Sequence, residues 1–427
     1  MVTQRSQILS HSFDHRTSRR RALGLTGTAV FGLGAALAGS SILGATSRAN
    51  RQATPVVPSP DGLLAITEEL MGELGLRSTL LHVTVDGDVL VSEALGESMT
   101  GVPATTDMRF RNGAVAISLM STLMLILVDD GVIALDDPLS TWLPDLPEAD
   151  TATFRMLANM TAGYRDHVQS ADFTDTTLED PFRSFTPDEI LGYSLDQPRL
   201  FAPGTNWEYS HTNYFILARA IEAATGQPLA QSMQTRVLDP LGLTATTIDA
   251  TPRIPEPALH AYSSERREWL GIAPGTRFYE ESSFWDPSWT LPPGAVQTSN
   301  IQDFGAAMVA IGEGTLLSAE SSADQLDRGL LGFGTPLEGC NTCRTLTENL
   351  VYGLGVVLRG PWVLQNPMFY GYTGVSAYWP ERRLSIAVAN TYGESAFDAT
   401  GQYQNASVPL FAALADQITR ELSTPAA

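Results

Sequence analysis

Apolar positions recur at helical spacing over residues 61–76, and two alternating runs at 80–85 and 89–92 then flank Asp86-Gly-Asp88. That succession predicts a helix followed by a β-hairpin. A long apolar helix follows residues 110–118. Near the other end, residues 351–358, 371–379 and 384–390 read as strands, and an amphipathic helix runs from about 408 to 422. Helix, strands, a long helical middle, strands and helix together predict one sheet assembled from both chain ends, within an α+β fold. No internal repeat interrupts this order.

Composition changes that picture mainly at the N-terminus. Ser18-Arg19-Arg20-Arg21-Ala22-Leu23 precedes an apolar, Gly- and Ala-rich run to about Ala45. This reads as an export signal of twin-arginine type over residues 1–49, although the run also approaches the length of a membrane span. The protein is therefore expected to be secreted or held in the cell envelope, with a membrane association only if the segment stays uncleaved. A Pro-containing linker at 50–60 leads into one domain at 61–427. The first 51 residues carry 7 Arg against a single acid, leaving 19 Arg against 46 acids in the remainder. A body so acidic repels nucleic acid and anionic membrane.

The stretch Phe110-Arg-Asn-Gly-Ala-Val-Ala-Ile-Ser118, its apolar helix and Asp129-Asp-Gly-Val-Ile-Ala-Leu-Asp-Asp-Pro138 form a recognisable frame. It resembles the β-lactamase and D-alanyl-D-alanine carboxypeptidase family of serine hydrolases, whose members read Phe-Arg-x-Gly-Ser-x-x-Lys, a helix, then Gly-x-Leu-x-Leu-Asp-Asp-Pro. Further matches follow in order. They are Phe154-Arg-Met-Leu-Ala-Asn-Met-Thr-Ala-Gly-Tyr164, Pro203-Gly-Thr-Asn-Trp-Glu-Tyr-Ser-His-Thr-Asn-Tyr214, Leu238-Asp-Pro-Leu-Gly-Leu243 and Gly294-Ala-Val-Gln-Thr-Ser-Asn-Ile-Gln-Asp303. The resemblance covers residues 62–420 and implies an antiparallel sheet flanked by terminal helices, with a mostly helical insert.

The reactive residues of that family are missing. Aligned without a gap, the nucleophile position is Ala114 and the position of the activating lysine is Ile117. All 26 Lys and Arg residues are arginine, so a Ser–Lys dyad is impossible. In the second motif, Tyr-x-Asn, Tyr209 is kept and the amide position is His211. The third motif, His-x-Gly or Lys-Thr-Gly, falls on Gln365-Asn366-Pro367, without the cation that receives a substrate carboxylate and without the close-approach glycine. A proline there also removes a backbone donor. Ser118 and Ser121 flank the lost site, but their helical positions aim them elsewhere. If a new base exists, His211 or His167 is the candidate, and no sequence pattern marks its partner.

Losing a nucleophile costs about a factor of 10⁶ in turnover. The chain is accordingly expected to be a pseudoenzyme acting as a binding or interaction module for a small molecule, peptide or protein in the family's cleft. The alternative is an ester or amide hydrolase with a rearranged site using Tyr209 with His211 or His167. A working binder should keep the cleft beside Tyr209 open, whereas a drifted scaffold would let Ile117 and its neighbours fill it. No cofactor or metal is expected. Cys340 and Cys343 lack the neighbouring ligands a metal would need, and in an exported chain they suit a small structural disulfide, with free thiols or a redox role as alternatives.

Overall fold

The computed structural model describes residues 58–249 and 251–423. The expected export signal and most of the linker lie outside them. The linker's last residue belongs to the domain: the first helix spans Pro60–Glu73, with Ser59 accepting from the Gly62 N–H and Pro60 at the position that needs no donor. The predicted hairpin is present and longer than its alternating core, as strands Leu76–Val85 and Asp88–Met99. Leu76–Val85 then pairs antiparallel with Leu384–Tyr392 from the far end of the chain. The whole sheet is antiparallel, in the order 102–103, 88–99, 76–85, 384–392, 372–379, 362–365, 357–359 and 351–352, with 368–369 also pairing to 372–379. The final helix, Ser407–Ser423, closes the circuit against the first, and the Ser59 N–H donates to Glu421 Oε2 at 2.7 Å.

The helix Val115–Asp129 is buried from Val115 to Leu127. Its sequence is apolar on every side, which only an interior position can satisfy. It packs against the helix Ile301–Glu313, which itself lies on the sheet, against Ala319–Gln325, and against Leu229–Met233 of the helical insert, whose other elements include Ala171–Glu179, Pro187–Leu195 and His211–Thr225.

One expected strand is divided. Residues 351–358 form two short strands, Val351–Tyr352 and Val357–Arg359, that pair with each other across a tight bend. The bend holds Gly355 at φ +74°, and a Cβ there would lie 2.2 Å from Ser121 Oγ. Gly355 is a junction of the fold. Its carbonyl accepts from Ser118 Oγ at 2.5 Å and from Gln365 Nε2 at 2.7 Å, while its N–H donates to the Ala158 carbonyl at 3.0 Å. The central helix, the sheet and the insert meet at this one residue.

Within the core that the insert shares with the sheet, His167 is fully buried beneath Phe173 and Phe215 at ring separations of 5.1 and 5.5 Å. Nδ1 lies 3.1 Å from Thr212 Oγ1, and Nε2 lies 3.0 Å from the Trp289 carbonyl, to which it must donate. Burial brings its pKa down to about 4, and the imidazole is neutral in the folded state.

Gly355→Ala is expected to destabilise the domain by about 2 kcal/mol or more, because the new methyl has neither space nor an allowed φ; the shift in urea midpoint measures it. For His167, the unfolded state takes up a proton near its ordinary value of 6.5 and the folded state only near 4. Stability is thus complete above about pH 6.5 and is lost as the pH falls towards 4, by up to roughly 3 kcal/mol. His167→Gln should lower stability at neutral pH and flatten that acid limb, as read from unfolding curves at pH 7.5, 6 and 5.

Candidate functional site

The N-terminus of the central helix opens into a small cleft of about 50 Å³ that communicates with solvent. Gly113, at φ +51°, makes the approach possible: a Cβ there would sit 2.6 Å from Pro367 Cβ and 3.0 Å from Phe369 Cε1. The strand end and turn carrying Asn366, Pro367, Met368 and Phe369 thus press directly on the start of the helix and form one wall. Ala114 occupies the N-cap position and offers no side-chain hydrogen bond to the helix. Its methyl and the side chain of Ile117 line the cleft floor.

The opposite wall comes from the second motif and the loop before it. Tyr209 and His211 line the cleft with their rings 5.2 Å apart and nearly perpendicular, and Trp289 stands 6.3 Å from His211. His211 begins the helix His211–Thr225, so its side chain projects from a fixed backbone position. Behind it lies Asp166, only 2% exposed at its side chain, with its carboxylate 3.2 Å from His211 Nδ1. The same carboxylate accepts from the backbone N–H groups of His211 at 3.1 Å and Val168 at 3.4 Å. Burial would push the Asp166 carboxyl up, but the facing His211, His167 and the Val168 N–H together hold it below the usual range. Asp166 is an ionised carboxylate in the cleft wall. Glu208 behaves oppositely: burial, and then the charge of Asp166, push its carboxyl well above the usual value.

With Nδ1 committed to Asp166, His211 presents its other edge to the cleft. This is the arrangement by which a carboxylate fixes the orientation and tautomer of an imidazole. Burial, with the nearby Tyr352 and Asp166, pushes the Tyr209 phenol well above its ordinary value, so the ring offers a neutral hydroxyl.

The structure thus gathers Ala114, Ile117, Tyr209, His211 and Pro367 in one cleft. It leaves others outside. Gln365 is fully buried and donates to the Gly355 carbonyl, so it braces the fold and does not line the cleft. His167, a candidate base from the sequence, has both ring nitrogens engaged in the core and no exposure. Ser118 and Ser121 are likewise buried, bonded to the Gly355 carbonyl and to the Tyr214 hydroxyl. Asp166 escaped sequence reading, because Tyr164-Arg-Asp-His167 carries no pattern that announces contact with a residue 45 positions away.

Cys340 and Cys343 are joined in a disulfide. Its loop is part of the site: Thr342 lines the cleft and its hydroxyl reaches the Tyr209 carbonyl at 3.4 Å, while Asn341 Nδ2 donates to Gln169 Oε1 at 3.0 Å on the same rim. Among the described residues no group of His, Cys, Asp or Glu could hold a metal ion.

Comparison with known proteins places this geometry. The chain is 28% identical over 303 residues to the esterase EstB of Burkholderia gladioli, covering 64% of this chain and 76% of that protein. It is 35% identical over 184 residues to penicillin-binding protein 4 of Amycolatopsis lactamdurans, covering 41% of this chain and 46% of that one. Among solved structures, the D-amino acid amidase of Ochrobactrum anthropi SV3 in complex with D-phenylalanine superposes with a TM-score of 0.69 at 22% identity, over 84% of this chain and 98% of that one. At such identity the likeness is one of fold. The sequence model of the β-lactamase family matches residues 63–408, and the chain belongs to that family.

Proposed function

We propose that this chain is a ligand-binding member of the family that has lost its inherited serine chemistry. One observation carries the reading: a methyl group and a butyl side chain, Ala114 and Ile117, stand where a nucleophile and its base would, at the floor of a cleft that nevertheless stays open. No lysine exists elsewhere in the chain to substitute. Without a nucleophile the acyl-enzyme route loses about six orders of magnitude in rate. The ligand is a small molecule, or a segment of a peptide or protein, small enough for the space between Tyr209, Trp289 and Phe369.

The Asp166–His211 pair supports a second reading, in which the chain hydrolyses an ester or amide without a covalent intermediate. His211 would take a proton from water as it attacks the carbonyl and return it to the leaving group, with Asp166 stabilising the imidazolium between the two steps. The similarity to an esterase and to amidases keeps such substrates in view. We propose further that the body works outside the cytoplasm, on the strength of the twin-arginine segment. Among the described residues no helix is long and apolar enough to cross a membrane, and residues 22–45 lie outside them.

Intact mass spectrometry of the folded protein, after exposure to a fluorophosphonate and to a penicillin, is expected to show no added mass. An adduct with either reagent overturns the first reading, and peptide mapping would name the nucleophile. The second reading expects slow hydrolysis of an activated ester that both His211→Ala and Tyr209→Phe abolish without loss of fold. Turnover that survives both substitutions, or no turnover in the parent protein, removes it. Export is checked by locating the full-length protein in fractionated cells, with Arg19→Gln combined with Arg20→Gln and Arg21→Gln expected to retain it in the cytoplasm.

A further inference from the structure

We infer that the cleft selects ligands by charge: it takes amine-bearing or neutral molecules with an apolar body and rejects carboxylates. The inference rests on the ligand-binding reading above and names the class of ligand. Among the fifteen residues lining the cleft, the acidic and basic side chains are one carboxylate, Asp166, and one imidazole, His211. An imidazole held against a carboxylate can at most balance it, so the cleft is never net positive.

Three nearby arginines do not line the cleft. Arg111 borders the adjoining space behind Gly113 and Phe369 and gives its Nη2 to the Pro252 carbonyl at 2.6 Å. Arg344, two residues beyond Thr342, gives its Nε to the Thr342 carbonyl at 3.1 Å and does not line the cleft. Arg165, next to Asp166, directs its Nε to the Pro198 carbonyl at 2.9 Å. At the third motif, where a cation would receive a substrate carboxylate, Gln365 is buried against Gly355 and Pro367 faces the cleft. Glu208 beside Asp166, whose carboxyl burial pushes well above its usual value, is an acid and supplies no cation.

What remains is an apolar and aromatic box with a single anion in its wall. Ala114, Ile117, Trp289, Leu291, Met368 and Phe369 supply the apolar surface. A cation at such a site gains from Asp166 and from the aromatic faces together. The acidic body reinforces the preference at long range, since 46 acids stand against 19 arginines beyond residue 51. A carboxylate entering the cleft loses its hydration and finds no partner, which is the costly case.

The test uses three probes with one phenyl body: phenethylamine, 2-phenylethanol and phenylacetate, titrated calorimetrically into the full chain at pH 7.5. Phenethylamine is expected to bind about tenfold or more tightly than phenylacetate, with 2-phenylethanol between them, and the amine's advantage should shrink at high salt. Asp166→Asn, which keeps an oxygen for the N–H groups of His211 and Val168, should bring the three probes together. Should that variant fail to fold, the amine preference that the parent protein keeps at high salt, where the long-range field of the acidic body is screened, still decides, and its complete loss there overturns the cleft's selectivity. Phenylacetate binding as tightly as the amine overturns the charge selectivity and leaves the ligand-binding reading standing. Binding by none of the three, in folded protein, overturns both, whereas a covalent adduct in the mass measurement overturns the functional reading alone.

Discussion

The fold and the cleft both hang on the carbonyl of Gly355. It receives Ser118 from the central helix and Gln365 from the sheet, while the amide of the same residue ties to Ala158 in the insert. A buried carbonyl has two lone pairs to satisfy, and here each is used to fix a different layer. The helix is thereby held at one height relative to the sheet, which sets where its N-terminus emerges. The position of Ala114 against Pro367 follows from that height. Ser118 and Ser121, the serines nearest Ala114, are spent on structure, the first at the Gly355 carbonyl and the second at the Tyr214 hydroxyl.

On the other side of the cleft a second polar group governs the geometry. Asp166 is buried, ionised and shared among His211, the His211 amide and the Val168 amide. The contacts cap the start of the helix that carries His211 and orient the imidazole at once, since a carboxylate at a helix N-terminus answers both unpaired N–H groups and the local dipole. Tyr209, two residues earlier, is placed by the same turn. The disulfide loop then closes this wall from outside, through Thr342 and through Asn341 on Gln169. Each wall is thus braced by buried hydrogen bonds rather than by the ligand it would receive.

How much of this was legible in the sequence depended on range. The hairpin, the terminal helices and the apolar helix follow from periodicity, because each buries a face whose spacing is local. The order of motifs gave the family, and with it the positions of Ala114, Ile117, Tyr209 and His211 in one cleft. Residues 351–358 read as one strand because they are uniformly apolar; the bend comes from Gly355, whose reason for being glycine is Ser121, 234 positions away in the chain and visible only after folding. His167 and His211 looked equivalent as candidate bases. They differ in what surrounds them: two aromatic rings and two hydrogen bonds consume the first, while the second keeps one edge towards open space. Asp166 was unreadable for the same reason.

The floor and the wall of the cleft differ in energetic cost. Ala114 and Ile117 put no polar side chain at the start of a buried helix, and neither burdens the fold. Asp166 is a different case. A buried carboxylate bears a desolvation penalty of several kcal/mol that its partners offset only in part, and a well-packed apolar side chain in its place is often as stable. Stability alone therefore gives weak reason for an ionised group at 2% exposure facing an open cleft. A cation entering the cleft would share that carboxylate with His211 and the two amides, which is the use we propose for it.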